Sequence, residues 1–154
     1  MTDVIADVIT SIAERQRWMG TLAKASLPDL EKQVGKLGKL PAYDFLRSPE
    51  TGLAMVRGKA GGVGDLFNLG EITLTRCVVC IDPIVGFGYV AGRSHRHAEL
   101  AALCDGLLQQ RGWYRLVMAS VIEPLTQQQQ QAVAQQQRQT ASTQVEFFTM
   151  RRGE

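Results

Sequence analysis

Thr73-Leu74-Thr75-Arg76-Cys77-Val78-Val79-Cys80-Ile81-Asp82-Pro83-Ile84-Val85-Gly86-Phe87-Gly88-Tyr89-Val90-Ala91-Gly92-Arg93-Ser94 is the stretch that decides the fold. Thr73 to Ile81 is rich in β-branched residues and reads as a strand. Asp82-Pro83 is a turn, and Val85 to Gly92 reads as a strand that leads back antiparallel. Ser94 then caps a helix whose apolar stripe is Leu100, Leu103, Cys104, Leu107 and Leu108, with Gly112 closing it. Upstream, Leu53 to Lys59 alternates as a further strand. Nine of the fifteen glycines fall between Gly52 and Gly92. Ala60 to Glu71, with Gly61, Gly62, Gly64 and Gly70, is long for a hairpin turn, and long loops on a rigid sheet often bind something.

Outward from this centre the pattern turns helical. Val4 to Ala25 carries apolar residues at three and four spacing, among them Ile5, Ile9, Ile12, Met19 and Leu22. Pro28 fits the first turn of a second helix with Leu30, Val34 and Leu37 as its stripe. Tyr114 to Ile122 is ambiguous between strand and helix, and Pro124 ends it. Ten Gln fall between Gln127 and Gln144; with the interspersed Ala they read as an exposed helix. Val145-Glu146-Phe147-Phe148-Thr149-Met150 is apolar, β-prone and in need of cover. The expected class is α+β: an antiparallel sheet of roughly four strands with helices from the N-terminal and C-terminal parts packed on it. One domain is expected over 1–154, helical at 4–40, sheet with the Gly-rich loop at 42–93, helices at 94–143 and a strand-like tail at 144–152.

The chain has 154 residues, 45% hydrophobic and 21% charged, with a net charge of +2. That suits a folded chain able to bury roughly 70% of its unfolded surface, and it argues against a disordered chain or a nucleic-acid arm. No apolar run reaches transmembrane length, and the start Met1-Thr2-Asp3-Val4 has no signal-like pattern, so a cytoplasmic protein is expected. Three cysteines, Cys77, Cys80 and Cys104, read as reduced thiols.

His97-Ala98-Glu99 is the sharpest local motif. In zinc-dependent nucleoside deaminases a His-x-Glu opens a helix, with His on the metal and Glu moving protons. Here the Cys77-Val78-Val79-Cys80 pair precedes the His, lacks the Pro and lies in a strand, where positions three apart face opposite sides. No metal site is expected, and His97 and Glu99 read as local contacts first. Gly86-Phe87-Gly88-Tyr89-Val90-Ala91 matches a loose dinucleotide fingerprint, but no βαβ unit surrounds it. Strand glycines more often mark close backbone approach. Gly61 and Gly62, with Arg57, Lys59 and Arg76 nearby, have the composition of an anion nest without being a P-loop.

Several segments together carry a family resemblance: Arg15-Gln16-Arg17-Trp18-Met19, Glu50-Thr51-Gly52-Leu53, Gly61-Gly62 with Phe67-Asn68-Leu69-Gly70-Glu71, Thr73-Leu74-Thr75-Arg76-Cys77, Gly88-Tyr89-Val90-Ala91-Gly92-Arg93, His97-Ala98-Glu99-Leu100-Ala101-Ala102 and the tail from Val145. In this order they resemble the PhnG family, a subunit of the bacterial carbon–phosphorus lyase core complex. Val63 stands where that pattern would have Thr, and Arg151 where it would have an apolar residue.

The resemblance implies a role in phosphonate catabolism. With PhnH, PhnI and PhnL, such a subunit helps replace the adenine of ATP by methylphosphonate, giving α-D-ribose 1-methylphosphonate 5-triphosphate. PhnJ breaks the carbon–phosphorus bond later. PhnG, PhnH, PhnI and PhnJ assemble with two copies of each, and PhnI carries the nucleosidase activity. ATP and methylphosphonate are then substrates of the complex, and no intrinsic cofactor, nucleic acid or membrane is implied. Candidate contacts are Arg57, Arg76, Arg93, Gly61 and Gly62 toward phosphate, His97 and Glu99 toward the chemistry, and Phe147, Phe148 and Met150 toward a partner. A stand-alone deaminase built on His97 and Glu99, and a pure scaffold subunit, are the alternatives.

Overall fold

The computed structural model describes residues 2–59, 64 and 66–152, with side chains described for 12–59, 64 and 66–141. The elements run α1 (Thr2–Lys24), α2 (Leu27–Gly35), β1 (Asp44–Lys59), β2 (Leu66–Ile81), β3 (Ile84–Ala91), α3 (His95–Leu108), α4 (Arg111–Val117), a π turn (Met118–Ile122) and α5 (Glu123–Arg152). The class is α+β, with an antiparallel sheet in the order β1-β2-β3. Three strands form it among the described residues where roughly four were expected.

The β2–β3 hairpin turns at Asp82-Pro83, a cis peptide bond. Thr75, Cys77, Val79 and Ile81 alternate inward as buried residues. Their partners on β3 include Gly88, opposite Cys77, and Gly86, opposite Val79. Here α3 comes down on the sheet. A Cβ at Gly86 would stand 2.1 Å from the Ala102 carbonyl oxygen, and one at Gly88 2.3 Å from that of Ala98. Both glycines therefore permit strand-to-helix contact, and the α3 backbone fills the space a side chain would take. Gly92 turns the chain from β3 into α3 at φ 99°, and its N–H donates to the Thr73 carbonyl at 2.9 Å.

Ser94 caps α3, its hydroxyl accepting from the His97 N–H. Nearly all of α3 is buried, and Leu100, Leu103 and Leu107 fill the centre with Leu22 of α1, Leu30 of α2, Val121 of the π turn and Leu125 of α5. Pro28 lies in the first turn of α2 as the sequence suggests, and Ser26 caps it, its hydroxyl accepting from the Asp29 N–H.

Several boundaries differ from the sequence reading. β1 begins at Asp44, because register shifts around Phe45, Arg47 and Glu50 disguise the alternation that β1 keeps with β2. β2 begins at Leu66, so half of the expected Ala60–Glu71 loop is strand. α3 ends at Leu108, and Gly112 lies inside α4. Tyr114 to Ile122 is helical, and Pro124 does not end it: the backbone stays helical from Arg111 through the π turn into α5, and the widened turn lies directly before the proline that cannot donate. The tail read as strand-like is the end of α5, since a helix propagating from the Gln/Ala run overrides local β preference.

Candidate functional site

α3 begins beside the middle of β1 and β2, and the candidate residues fall into three groups around that junction. The first is His97 itself, only 7% exposed. Its Nε2 donates to the Leu22 carbonyl oxygen at 2.8 Å, which ties α3 to the last turns of α1. Glu99 accepts from the Tyr43 hydroxyl and pairs with Arg96 at 3.4 Å. His97 and Glu99 thus serve different neighbours. Among the described residues no group of three or more His, Cys, Asp or Glu is arranged to hold a metal ion. Cys77 is buried under α3, and Cys80 falls on the other face by alternation. Burial, then the charge of Glu99, pushes the Cys77 thiol up to about 11.

A second group crosses the sheet. The Thr51 and Thr75 hydroxyls are 2.9 Å apart, Thr75 donates to the Gly92 carbonyl at 2.7 Å, and His95 Nε2 lies 3.2 Å from Thr51 Oγ1. On the opposite face Glu50 accepts from Arg47 at 2.8 Å and from Arg76 at 2.7 Å. These two bonds, in that order, hold its carboxyl below the usual carboxylate range. Two guanidiniums against one carboxylate leave this solvent-facing group with an excess positive charge.

The other candidate cations lie apart. Arg57 pairs with Asn68 far along β1, seven residues and roughly 23 Å of strand from Glu50. Arg93 is exposed just before α3. Arg57, Arg76 and Arg93 therefore do not form one cluster. Gly61 and Gly62 lie outside the described residues, as do the side chains of Phe147, Phe148 and Met150.

The third group was not singled out from sequence. Asp105, fully buried in α3, accepts from Arg15 Nε at 3.1 Å and Nη2 at 2.8 Å, from Trp18 Nε1 at 2.8 Å and from the Phe87 N–H at 2.9 Å. Gln109 Nε2 adds a 3.3 Å contact. The Arg15 guanidinium also lies over the Phe87 ring, 5.6 Å from its centroid. One carboxylate thereby joins α1, α3 and the edge of the sheet. A charged residue inside the apolar stripe of α3 was the available signal. Two open grooves flank α1: one of about 580 Å³ beside the π turn, floored by Trp18, Met118 and Ile122, and one of about 710 Å³ between Arg15, Trp18, Tyr114 and Arg111.

Residues 13–153 match the family described as phosphonate metabolism protein PhnG. The chain belongs to that family. A relative from Rhizobium meliloti (strain 1021), named alpha-D-ribose 1-methylphosphonate 5-triphosphate synthase subunit PhnG, is 39% identical over 144 residues, which are 93% of this chain and 92% of the relative. Several segments that carry the PhnG resemblance have work inside this fold. Arg15 and Trp18 hold Asp105, Gly88 admits α3, Gly92 turns the chain, and His97 ties α3 to α1.

Proposed function

We propose that this chain is an accessory subunit of the assembly that makes α-D-ribose 1-methylphosphonate 5-triphosphate in bacterial phosphonate catabolism. The name carried by the 39% identical relative supports the assembly. The accessory role is supported by one observation above others: the side chains of the His97-Ala98-Glu99 motif are engaged in structural contacts, His97 with the Leu22 carbonyl and Glu99 with Tyr43 and Arg96. In this reading methylphosphonate oxygen attacks ribose C1 of ATP as adenine departs. The groups that drive the step sit mainly on PhnI. This chain joins PhnI, PhnH and PhnJ, two copies of each in the cytoplasmic assembly, with PhnL acting alongside. It carries no cofactor of its own, and ATP and methylphosphonate are substrates of the whole. Arg76 and Arg93 are the exposed cations through which it would touch the triphosphate.

The test is co-expression of the full chain with the other subunits and an assay of methylphosphonate-dependent adenine release from ATP. Omitting this chain is expected to abolish both assembly and release, and the isolated chain is expected to be inactive. Adenine release by the isolated chain, or unchanged release without it, overturns the reading. A stand-alone deaminase gains no support from the site, since His97 Nε2 faces a carbonyl oxygen.

A further inference from the structure

β3 runs beside only part of its neighbour. Its pairing with β2 ends at Leu74↔Ala91, followed by the Gly92 N–H bond to Thr73. Beyond that point β1 and β2 continue together to Lys59↔Leu66. This leaves a two-stranded arm, Gly52–Lys59 with Leu66–Thr73, that carries no third strand among the described residues. An isolated two-stranded ribbon is at best marginally stable in water.

Its side chains make the position worse for a free chain. Pairing puts Leu53 opposite Thr73 and Met55 opposite Glu71 on one face, and Ala54 opposite Ile72 and Val56 opposite Gly70 on the other. Leu53 is 70% exposed, Leu69 62% and Leu66 59%, and Met55, Phe67 and Ile72 are exposed too. The second face holds no charge: Gly58 pairs with Phe67, and Leu69 lies against Gly58. Charge is confined to the first face and the tip, where Arg57, Lys59 and Glu71 sit. Exposed apolar patches of this extent mark interaction sites.

A second copy stacked arm to arm would cover one face of each arm and leave the other wet.

Resting on the subunit reading above, we propose that the arm Gly52–Lys59/Leu66–Thr73 inserts between two apolar walls of a cleft in a different subunit of the assembly, with acidic groups of that cleft meeting Arg57 and Lys59. Among the described residues no strand pairs with β2 from Leu66 to Ile72 on the side that β3 leaves, so the cleft also offers β-strand pairing there.

The experiment co-expresses the full chain with the other synthase subunits and follows assembly by size-exclusion chromatography and by amide hydrogen exchange of the wild-type chain, free and assembled. Ile72→Glu and Leu53→Glu place a charge on one face each. Each is expected to lower the assembled fraction at least tenfold, and amides of 52–58 and 66–73 are expected to slow at least tenfold on assembly. The exchange measurement needs no variant and so stands even if a substituted chain fails to fold. Wild-type arm amides that stay fast in the assembly overturn the proposal, as does assembly of both variants at the wild-type level. Sensitivity of one face alone replaces the cleft by a flat contact and also overturns it. Arm protection in a dimer of the isolated chain assigns the arm to a second copy. If the wild-type chain does not assemble at all, the subunit reading fails first and this proposal with it.

Discussion

Asp105 shows how much one buried charge can organise. Its two oxygens collect donors from α1, from β3 and from Gln109 just past its own helix, and no side-chain oxygen of it reaches water. Asp105→Ala leaves the Trp18 N–H, the Phe87 N–H and the Arg15 charge without their acceptor. It is expected to lower the unfolding free energy by about 3–5 kcal/mol, read from urea denaturation. His97 makes a smaller contribution of the same kind. His97→Leu leaves the Leu22 carbonyl unpaired in a buried place and is expected to cost about 1–3 kcal/mol. Adenine release by an assembly carrying His97→Leu, assayed well below its melting temperature, is expected to stay within twofold of wild type. A loss of orders of magnitude with assembly intact would put His97 in the chemistry instead.

At the scale of elements, glycine marks the places where backbone meets backbone. Gly88→Ala would set a methyl 2.3 Å from the Ala98 carbonyl oxygen and 2.7 Å from the Ala102 N–H nitrogen, atoms of a helix that cannot step aside. A loss of about 3 kcal/mol or more is expected in thermal or urea unfolding. Gly20, in α1 with nothing near its missing Cβ, is the contrast: Gly20→Ala is expected to raise stability by about 0.5–1 kcal/mol. The hairpin of β2 and β3, the Ser94 cap and the stripe of α3 were readable because each has a local signature of β-branched run, turn residue, cap or period. The start of β1 was hidden because register shifts around Phe45, Arg47 and Glu50 break its pattern, and the start of β2 because Leu66 to Ile72 is exposed on both faces and shows no inside-outside alternation to read. The same holds for the site. His97-Ala98-Glu99 was visible as a motif, but its partners, a carbonyl in α1 and the Tyr43 hydroxyl, lie 75 and 56 residues away, and no sequence spacing encodes them. Asp105 was visible only as an oddity in an apolar stripe. The end of α5 was misread because β preference is local while helix propagation is cooperative.

For the whole molecule, several protons are held tightly by burial. Burial first and then the charge of Asp105 push the Cys104 thiol up to about 12. Burial and then Glu99 push Cys77 up to about 11, and Tyr43 is raised for the same two reasons. Raised values mean that the folded chain binds these protons more strongly than the unfolded chain. Their contribution is complete below the ordinary thiol and tyrosine range and is lost as pH climbs through the folded values. Stability is therefore expected to fall steadily between about pH 9 and pH 12, followed by circular dichroism at constant ionic strength, and Tyr43→Phe is expected to make that fall shallower. No described helix is long and apolar enough to cross a membrane. The widened turn Met118–Ile122 sets the course of everything after it. A π turn is one residue more than a regular helix would use, and one residue is about 100° of rotation. The wide turn absorbs that residue where it stands, so deleting Ala119 would restore a regular helix with Leu125 still turned inward. Deleting a residue from the regular helix of α4 instead would swing the thirty residues of α5 by about 100° and carry Leu125 toward solvent. Two single-codon losses a few positions apart are thus expected to keep the same helical content and to differ in which neighbour the C-terminal rod faces.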